Sequence, residues 1–110
     1  GVKIEDQVAL KNAPETLAVP GIAFAEHGPR DMGFSFGHLE GRADPPVPPE
    51  VNAAGEKVLN LCQENGLYFL DNVLPNNVYE KIDWGVMIGA GSNKEAAIVG
   101  REYTKRKMPW

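Results

Sequence analysis

The feature that most constrains the fold is a regular alternation of short apolar segments and longer amphipathic ones. Strand patterns and helix patterns follow one another along the chain, with glycine and proline between them. Parallel strands need a long crossover connection, usually a helix, so this alternation favours a parallel sheet. Four βα units would make half of an eight-stranded barrel. The strands are predicted at 2–5, 22–27, 67–71 and 86–90, and the helices at 7–17, 50–65, 77–81 and 93–105.

Several local signals set the expected boundaries of these elements. Pro14 is expected to bend or divide the first helix, because proline lacks the N–H that a helix interior needs. Gly66 predicts the end of the helix at 50–65, and Ser92 is the expected N-cap of the final helix. The segment 38–49 holds four prolines and reads as a polar surface excursion, while the lone Cys62 falls on a buried helix face.

Composition excludes several classes of function. The formal net charge of −4 argues against nucleic acid as the main partner, since such proteins carry basic patches. No apolar stretch is long enough to cross a bilayer, and a single cysteine makes neither an internal disulfide nor a zinc cluster. We therefore expect a soluble, cytoplasmic protein.

Two acids, Glu5 and Asp31, stand where a strand gives way to a loop. If the two strands are parallel neighbours, both carboxylates arrive at the same edge of the sheet. Two hard oxygen ligands of this kind can hold a divalent cation and leave positions open for an oxygen substrate. Spacing alone leaves the ordinary alternative open, in which both carboxylates are simply solvated.

The same stretch resembles the HpcH/HpaI aldolases, which are metal-dependent aldolases that use pyruvate as nucleophile. The resemblance continues through the helix that ends at Gly66 to the last strand, and so covers nearly the whole chain. The matching positions are Ile4-Glu5, Ala9, Asn12, Pro14, Val19, Gly21, Gly28-Pro29-x-Asp31 and Pro49-Glu50-Val51.

The resemblance implies a fold, and it implies that this chain forms only part of that fold. Residues 1–110 would form one partial domain of the phosphoenolpyruvate/pyruvate-binding type, the C-terminal half of a (β/α)8 TIM barrel. In the family, the catalytic His and the pyruvate-binding Arg lie on earlier strands. No catalytic residue is therefore assigned within this chain, and the isolated 110 residues are expected to show no turnover.

The resemblance also implies a site and its chemistry. Glu5 and Asp31 would ligate Mg²⁺, Mn²⁺ or Co²⁺, which oxygen ligands do not separate. Gly28, Arg30, Asp31 and Asn72 would bind substrate, the backbone amides of Arg30 and Asp31 holding a carboxylate. The implied reaction is a carbon–carbon lyase reaction through a pyruvate enolate, forming or cleaving 2-keto-3-deoxy or 4-hydroxy-2-oxo acids. The second reactant would be an aldehyde, and the assembly a hexamer.

Two places depart from the family pattern. Glu26-His27 stands where an apolar pair is usual, so either the strand turns these side chains outward or the site gains acid–base groups. Leu70-Asp71-Asn72 stands where the family has glycine and aliphatic residues facing the substrate, which indicates either a different aldehyde partner or no aldol chemistry at all. His38 is expected to be exposed and is assigned no role.

Two alternative functions remain open. One is a non-catalytic half barrel or assembly unit, whose unpaired sheet edges would demand a partner. The other is an acyl-CoA lyase resembling the citrate lyase β subunit. Met108 and Trp110 at the apolar end predict contact with another subunit.

Overall fold

The computed structural model of the chain describes residues 1–39, 46–91 and 93–107. Within these residues, strands and helices alternate as the sequence predicts. An additional short helix, Pro29–Ser35, follows the second strand and is not among the helices predicted above. The elements are β1 Val2–Ile4, α1 Gln7–Leu17, β2 Phe24–His27, α2 Pro29–Ser35, α3 Pro49–Glu64, β3 Tyr68–Asn72, α4 Val78–Trp84, β4 Ile88–Ala90 and α5 Lys94–Thr104.

The four strands form one parallel sheet in the order β1-β2-β3-β4. Lys3 pairs with Glu26, Glu26 with Leu70, and Leu70 with Ile88. Each strand therefore neighbours the next one along the chain, as in successive βα units. The predicted α/β architecture is confirmed.

Pro14 does not divide the first helix. Helix α1 is continuous from Asp6, whose side chain accepts a hydrogen bond from the amide of Ala9, to Leu17. A proline at position 14 removes the donor that the Leu10 carbonyl would normally meet. Lys57 of helix α3 supplies a substitute, since its Nζ donates to the Leu10 oxygen over 3.1 Å. The expectation that Pro14 divides the helix is wrong, and an ammonium from the neighbouring helix gives the freed carbonyl a partner.

The helix ends agree with the sequence in one case and differ in another. Helix α3 ends at Glu64, with Asn65 as its C-cap. Gly66 follows, and its φ of 67° is the left-handed conformation that glycine favours. Helix α5 is capped by Asn93, whose side chain accepts from the amide of Ala96 over 3.0 Å. The cap lies one residue after the predicted Ser92, which is outside the described residues. Of the proline-rich connection, 40–45 also lie outside them.

The two faces of the sheet differ in character. One face packs against the helices and forms the apolar core, which includes Cys62 as predicted. The opposite face carries half-buried Phe24 and Leu70 and also Tyr68, which is 49% exposed. The main core residues are Ile4, Ala13, Leu17, Ala25, Met32, Val51, Val58, Cys62 and Phe69.

We expect a buried and an exposed side chain of helix α1 to differ in how much their truncation destabilises the protein. Leu17→Ala should destabilise the protein by about 2–5 kcal/mol, because Leu17 is fully buried and a cavity remains. Val8→Ala, at a largely exposed position of the same helix, should change stability by less than about 0.5 kcal/mol. Urea unfolding of both variants measures this, and equal losses would contradict the assigned core.

Candidate functional site

Glu5 and Asp31 lie at the carboxyl ends of neighbouring parallel strands. Glu5 follows β1 directly, and Asp31 lies in the first turn of α2, immediately after β2. The amide of Gly28 donates to the Ile4 carbonyl over 3.3 Å and so extends the pairing of the two strands. The structure thus places both acids at one edge of the sheet, as the sequence predicts. Their role as metal ligands stays a prediction.

Gly28 allows the Glu5 side chain to pack directly on the backbone. A Cβ at position 28 would lie 2.6 Å from Glu5 Oε1 and 2.7 Å from its Cγ. Such distances are far below van der Waals contact, so a side chain at position 28 would force the Glu5 carboxylate to shift. The glycine therefore allows Glu5 to keep this position.

Lys3 contributes a positively charged side chain to this site, which the sequence pattern did not single out. Its Nζ lies 2.7 Å from Glu5 Oε1 and 3.8 Å from Glu26 Oε1. Contact with Glu5, then the charges of Glu26 and Asp31, raise the pKa of Lys3. Three carboxylates therefore act on a single ammonium. The signal was present, since residues 3 and 5 of a strand share a face.

The buried oxygen of Glu5 has a single close partner among the described residues. Oε1 is shielded from solvent and is balanced by the Lys3 ammonium 2.7 Å away. A buried carboxylate oxygen requires a partner of this kind, and a bound cation would serve in the same way.

Arg30 and Asp31 present backbone amides at the same edge. Helix α2 begins at Pro29, and its first intrahelical acceptor is Gly28, which receives the amide of Met32 over 2.9 Å. The amides of residues 30 and 31 precede this bond, so they have no acceptor within the helix. They are available to an anionic group beside Glu5.

Glu26 and His27 project to opposite faces of β2. Glu26 lies on the face with Lys3, whereas His27 points toward helix α3 and is only 5% exposed. A Cβ on Gly55 of α3 would lie 3.0 Å from His27 Nδ1, so that helix approaches the imidazole closely. The strand thus turns His27 away from Glu5. The alternative of a His27 acid–base group beside Glu5 is not supported.

The surroundings of His27 favour its neutral form. Burial lowers its pKa, and the charge of Lys81 adds to that effect, while the charge of Asp71 opposes it. Its Nε2 is buried without a hydrogen-bond partner in the described part of the chain. Leaving this nitrogen uncharged is the less costly state, because desolvation disfavours the charged form.

Asp71 belongs to a second polar cluster on the helix side of the sheet. Only 4% of it is exposed, and Lys81 of α4 places Nζ 2.5 Å from Asp71 Oδ2. The other oxygen, Oδ1, accepts the amide of Asn72 over 2.7 Å. The Lys81 ammonium also lies 4.9 Å from the centre of the Trp84 ring. Burial of Asp71 is thus matched by a partner at each oxygen.

Asn72 ends β3 opposite Ala90 and is exposed. It lines an open cavity of about 880 Å³ that extends from His27 to the loops after β3 and β4. The cavity is also lined by Asp71, Lys81 and Trp84. Asn72 is therefore accessible to a ligand. Within the described part of the chain, no hydrogen bond or ion pair joins it to Glu5 or Asp31, and its substrate role stays a prediction.

The remaining polar features bear less on the site. His38 is partly exposed, as expected, and its Nε2 lies 2.6 Å from Glu50 Oε1. No group of three or more His, Cys, Asp or Glu side chains in residues 1–39, 46–91 and 93–107 has the arrangement of a metal site. A cation at Glu5 and Asp31 would rest on two protein carboxylates. No helix in those ranges is long and apolar enough to span a membrane.

The chain is similar in structure to several solved proteins. No family model and no curated protein sequence matches the chain. A HpcH/HpaI aldolase/citrate lyase family protein from Burkholderia cenocepacia J2315 superposes with a TM-score of 0.71 at 19% identity, over 94% of this chain and 40% of that one. A HpcH/HpaI aldolase from Desulfitobacterium hafniense DCB-2 gives 0.67 at 24% identity, over 94% and 38%. Macrophomate synthase gives 0.70 at 25% identity, over 82% and 31%.

These likenesses decide the fold. The chain has the fold of part of an HpcH/HpaI aldolase barrel. Its four parallel βα units match half of that TIM barrel, so the resemblance found in the sequence is confirmed at the level of fold. The chain spans about two fifths of the length of the two aldolase-family proteins.

We expect the Asp71–Lys81 pair to be sensitive to loss of one partner. Lys81→Met should cost about 3 kcal/mol, because it leaves a buried carboxylate uncompensated. The double variant Lys81→Met/Asp71→Asn should recover part of that loss, since an amide oxygen still accepts the Asn72 amide. Chemical denaturation measures both, and a double variant less stable than Lys81→Met would contradict this account.

We expect His27 to make stability depend on pH. The pKa of His27 in the folded protein is below its usual 6.5, so only the unfolded chain takes up this proton as pH falls through about 6.5. Stability is therefore complete above that pH and is lost below it, by at most about 1.4 kcal/mol per pH unit. His27→Leu should remove this slope. Urea unfolding between pH 7.5 and 5.5 tests it, and identical slopes in both proteins would show that His27 does not contribute.

Proposed function

We propose that this chain supplies the cation-binding edge of a metal-dependent carbon–carbon lyase that acts on 2-oxo acids through a pyruvate enolate. The observation that carries the proposal is the position of Glu5 and Asp31 after the carboxyl ends of adjacent parallel strands, with Glu5 packed against Gly28. The fold likeness to HpcH/HpaI aldolases supports the reaction class. In barrels of this kind, chemistry lies at that end of the strands.

The residues present fit a divalent cation. Glu5 Oε1 is a buried oxygen that already has a positive charge beside it, since the ammonium of Lys3 lies 2.7 Å from it. Asp31 adds a second carboxylate at the same edge. Carboxylate oxygens suit Mg²⁺, Mn²⁺ and Co²⁺, and two protein ligands leave positions for water and substrate.

The chain's own groups would bind and orient the substrate. The amides of Arg30 and Asp31, free of intrahelical acceptors, would receive its carboxylate, and the bare backbone at Gly28 would let it approach. Asn72 would contact the distal part of the substrate from the end of β3. The cation, when bound, supplies positive charge for the negative charge that develops on the 2-oxo acid.

Proton transfer and pyruvate positioning would need groups from outside the 110 residues. His27, the only imidazole at a strand end here, faces helix α3 and is not available to a substrate beside Glu5. By family resemblance, a His and an Arg on other strands complete the site. A cytoplasmic location and a hexameric assembly belong to the same proposal. The C-terminal residues 108–110, expected at a subunit contact, lie outside the described part of the chain.

Two other functions stay open. The half-buried face with Phe24, Tyr68 and Leu70 favours a non-catalytic assembly unit, because such a face invites cover by another sheet or helix. Gel filtration with intact mass would reveal a companion chain. An acyl-CoA lyase would use the same cation site, and dependence of turnover on coenzyme A would select it over the aldolase.

We expect both carboxylates to be required for activity. Glu5→Gln or Asp31→Asn in the full-length protein should abolish metal-dependent pyruvate chemistry and leave the fold intact, because each removes one charged ligand. Glu56→Gln, at an exposed site on α3, serves as the matched control and should retain activity. Enolisation of pyruvate, followed by exchange of its C3 protons, measures the chemistry, with circular dichroism as the check on folding. Activity within about threefold of wild type in both site variants would refute the assignment.

A further inference from the structure

Lys3 occupies the position where a cation would meet Glu5. Its ammonium is 2.7 Å from Glu5 Oε1, and that oxygen is shielded from solvent. A divalent ion reaching Oε1 would therefore meet Lys3 first. The side chain is not fixed by packing, since 54% of it is exposed.

Glu26 offers Lys3 a second position. Lys3 and Glu26 are paired residues of β1 and β2, so their side chains project from the same face at adjacent positions. The Lys3 ammonium already lies 3.8 Å from Glu26 Oε1. The lysine side chain has a flexible four-carbon stem, so a small rotation moves its ammonium from the Glu5 carboxylate to that of Glu26.

We infer that Lys3 is an exchangeable counter-cation of this site: it pairs with Glu5 while no metal is bound, and it moves to Glu26 when a divalent cation takes Glu5. This inference rests on the proposed metal-dependent function and adds a residue that sets cation affinity.

The charges make such an exchange favourable. Glu5, Glu26 and Asp31 with Lys3 carry a formal charge of −2, which a divalent cation brings to zero. If Lys3 stayed on Glu5, its ammonium would lie within a few ångströms of the metal, where like charges repel. The competition weakens cation binding, and Glu26 limits that weakening by receiving the displaced ammonium.

The first experiment measures Mn²⁺ binding to the full chain by electron paramagnetic resonance titration at fixed salt. Lys3→Met should bind Mn²⁺ about tenfold more tightly than wild type, because no ammonium competes. Lys3→Arg keeps the charge and should stay within about threefold of wild type. Lys94→Met removes one positive charge at the start of α5, which follows β4, the outer strand furthest from β1. It should change the Mn²⁺ affinity little.

The second experiment is a double-mutant cycle with Glu26→Gln. In the wild-type background, this change should weaken Mn²⁺ binding about tenfold, since it removes a nearby charge and the second position of Lys3. In the Lys3→Met background, only the charge effect remains, and the loss should be about threefold or less. Equal losses in the two backgrounds would overturn the exchange.

The outcomes separate this inference from the proposed function. If neither wild type nor Lys3→Met binds Mn²⁺ in a Glu5-dependent way, the metal site itself is rejected and the inference with it. If both bind equally and Glu5→Gln abolishes binding, the metal site stands and the role of Lys3 is overturned. Circular dichroism checks folding, and Lys3→Gln replaces Lys3→Met in both experiments should that variant misfold.

Discussion

The parallel pairing of β1 with β2 is the constraint on which the rest of the site depends. Its register sets Lys3 opposite Glu26 and Ile4 opposite His27. Side chains alternate between the two faces of a strand, so a slip of one residue would exchange the core face for the site face. Ile4 in the core fixes the register, and Glu5 arrives over Gly28 as a result.

The helix side of the sheet tolerates two buried polar side chains for different reasons. Asp71 has a partner for each oxygen, one from Lys81 and one from its neighbouring amide. His27 instead favours its neutral form, because burial lowers its pKa, and its Nε2 has no hydrogen-bond partner within residues 1–39, 46–91 and 93–107. The two groups lie on adjacent strands, and the acidic one raises the pKa that burial and Lys81 lower. Both side chains can therefore be buried: the charge of Asp71 is balanced by Lys81, and His27 favours the form that carries no charge.

The sequence predicts the parts of this structure that depend on local pattern. The alternation of apolar periods gives the elements and the fold class, and Gly66 and Cys62 behave as their residue types suggest. The positions of Glu5 and Asp31 also follow, because strand ends in a parallel sheet converge. Local pattern fails where a distant residue decides. Pro14 lies within a continuous helix, and the Leu10 carbonyl that it leaves free bonds to Lys57 of another helix. The side chains of Glu26 and His27 can be assigned to opposite faces only when the orientation of β2 is known. The final cap is Asn93 rather than its neighbour, a choice between two capping residue types that composition does not settle.

The contact between Lys57 and the Leu10 carbonyl makes positions 14 and 57 interdependent. With proline at 14, the lysine fills a vacancy in the backbone hydrogen-bond pattern of α1 and fastens that helix to α3. With any residue that has an N–H at 14, the carbonyl would be satisfied locally, and the lysine would become dispensable. The worth of each residue is therefore conditional on the other. With the proline retained, loss of the lysine would leave the Leu10 carbonyl to water and remove this link between α1 and α3, so the lysine contributes more beside the proline than it would without it.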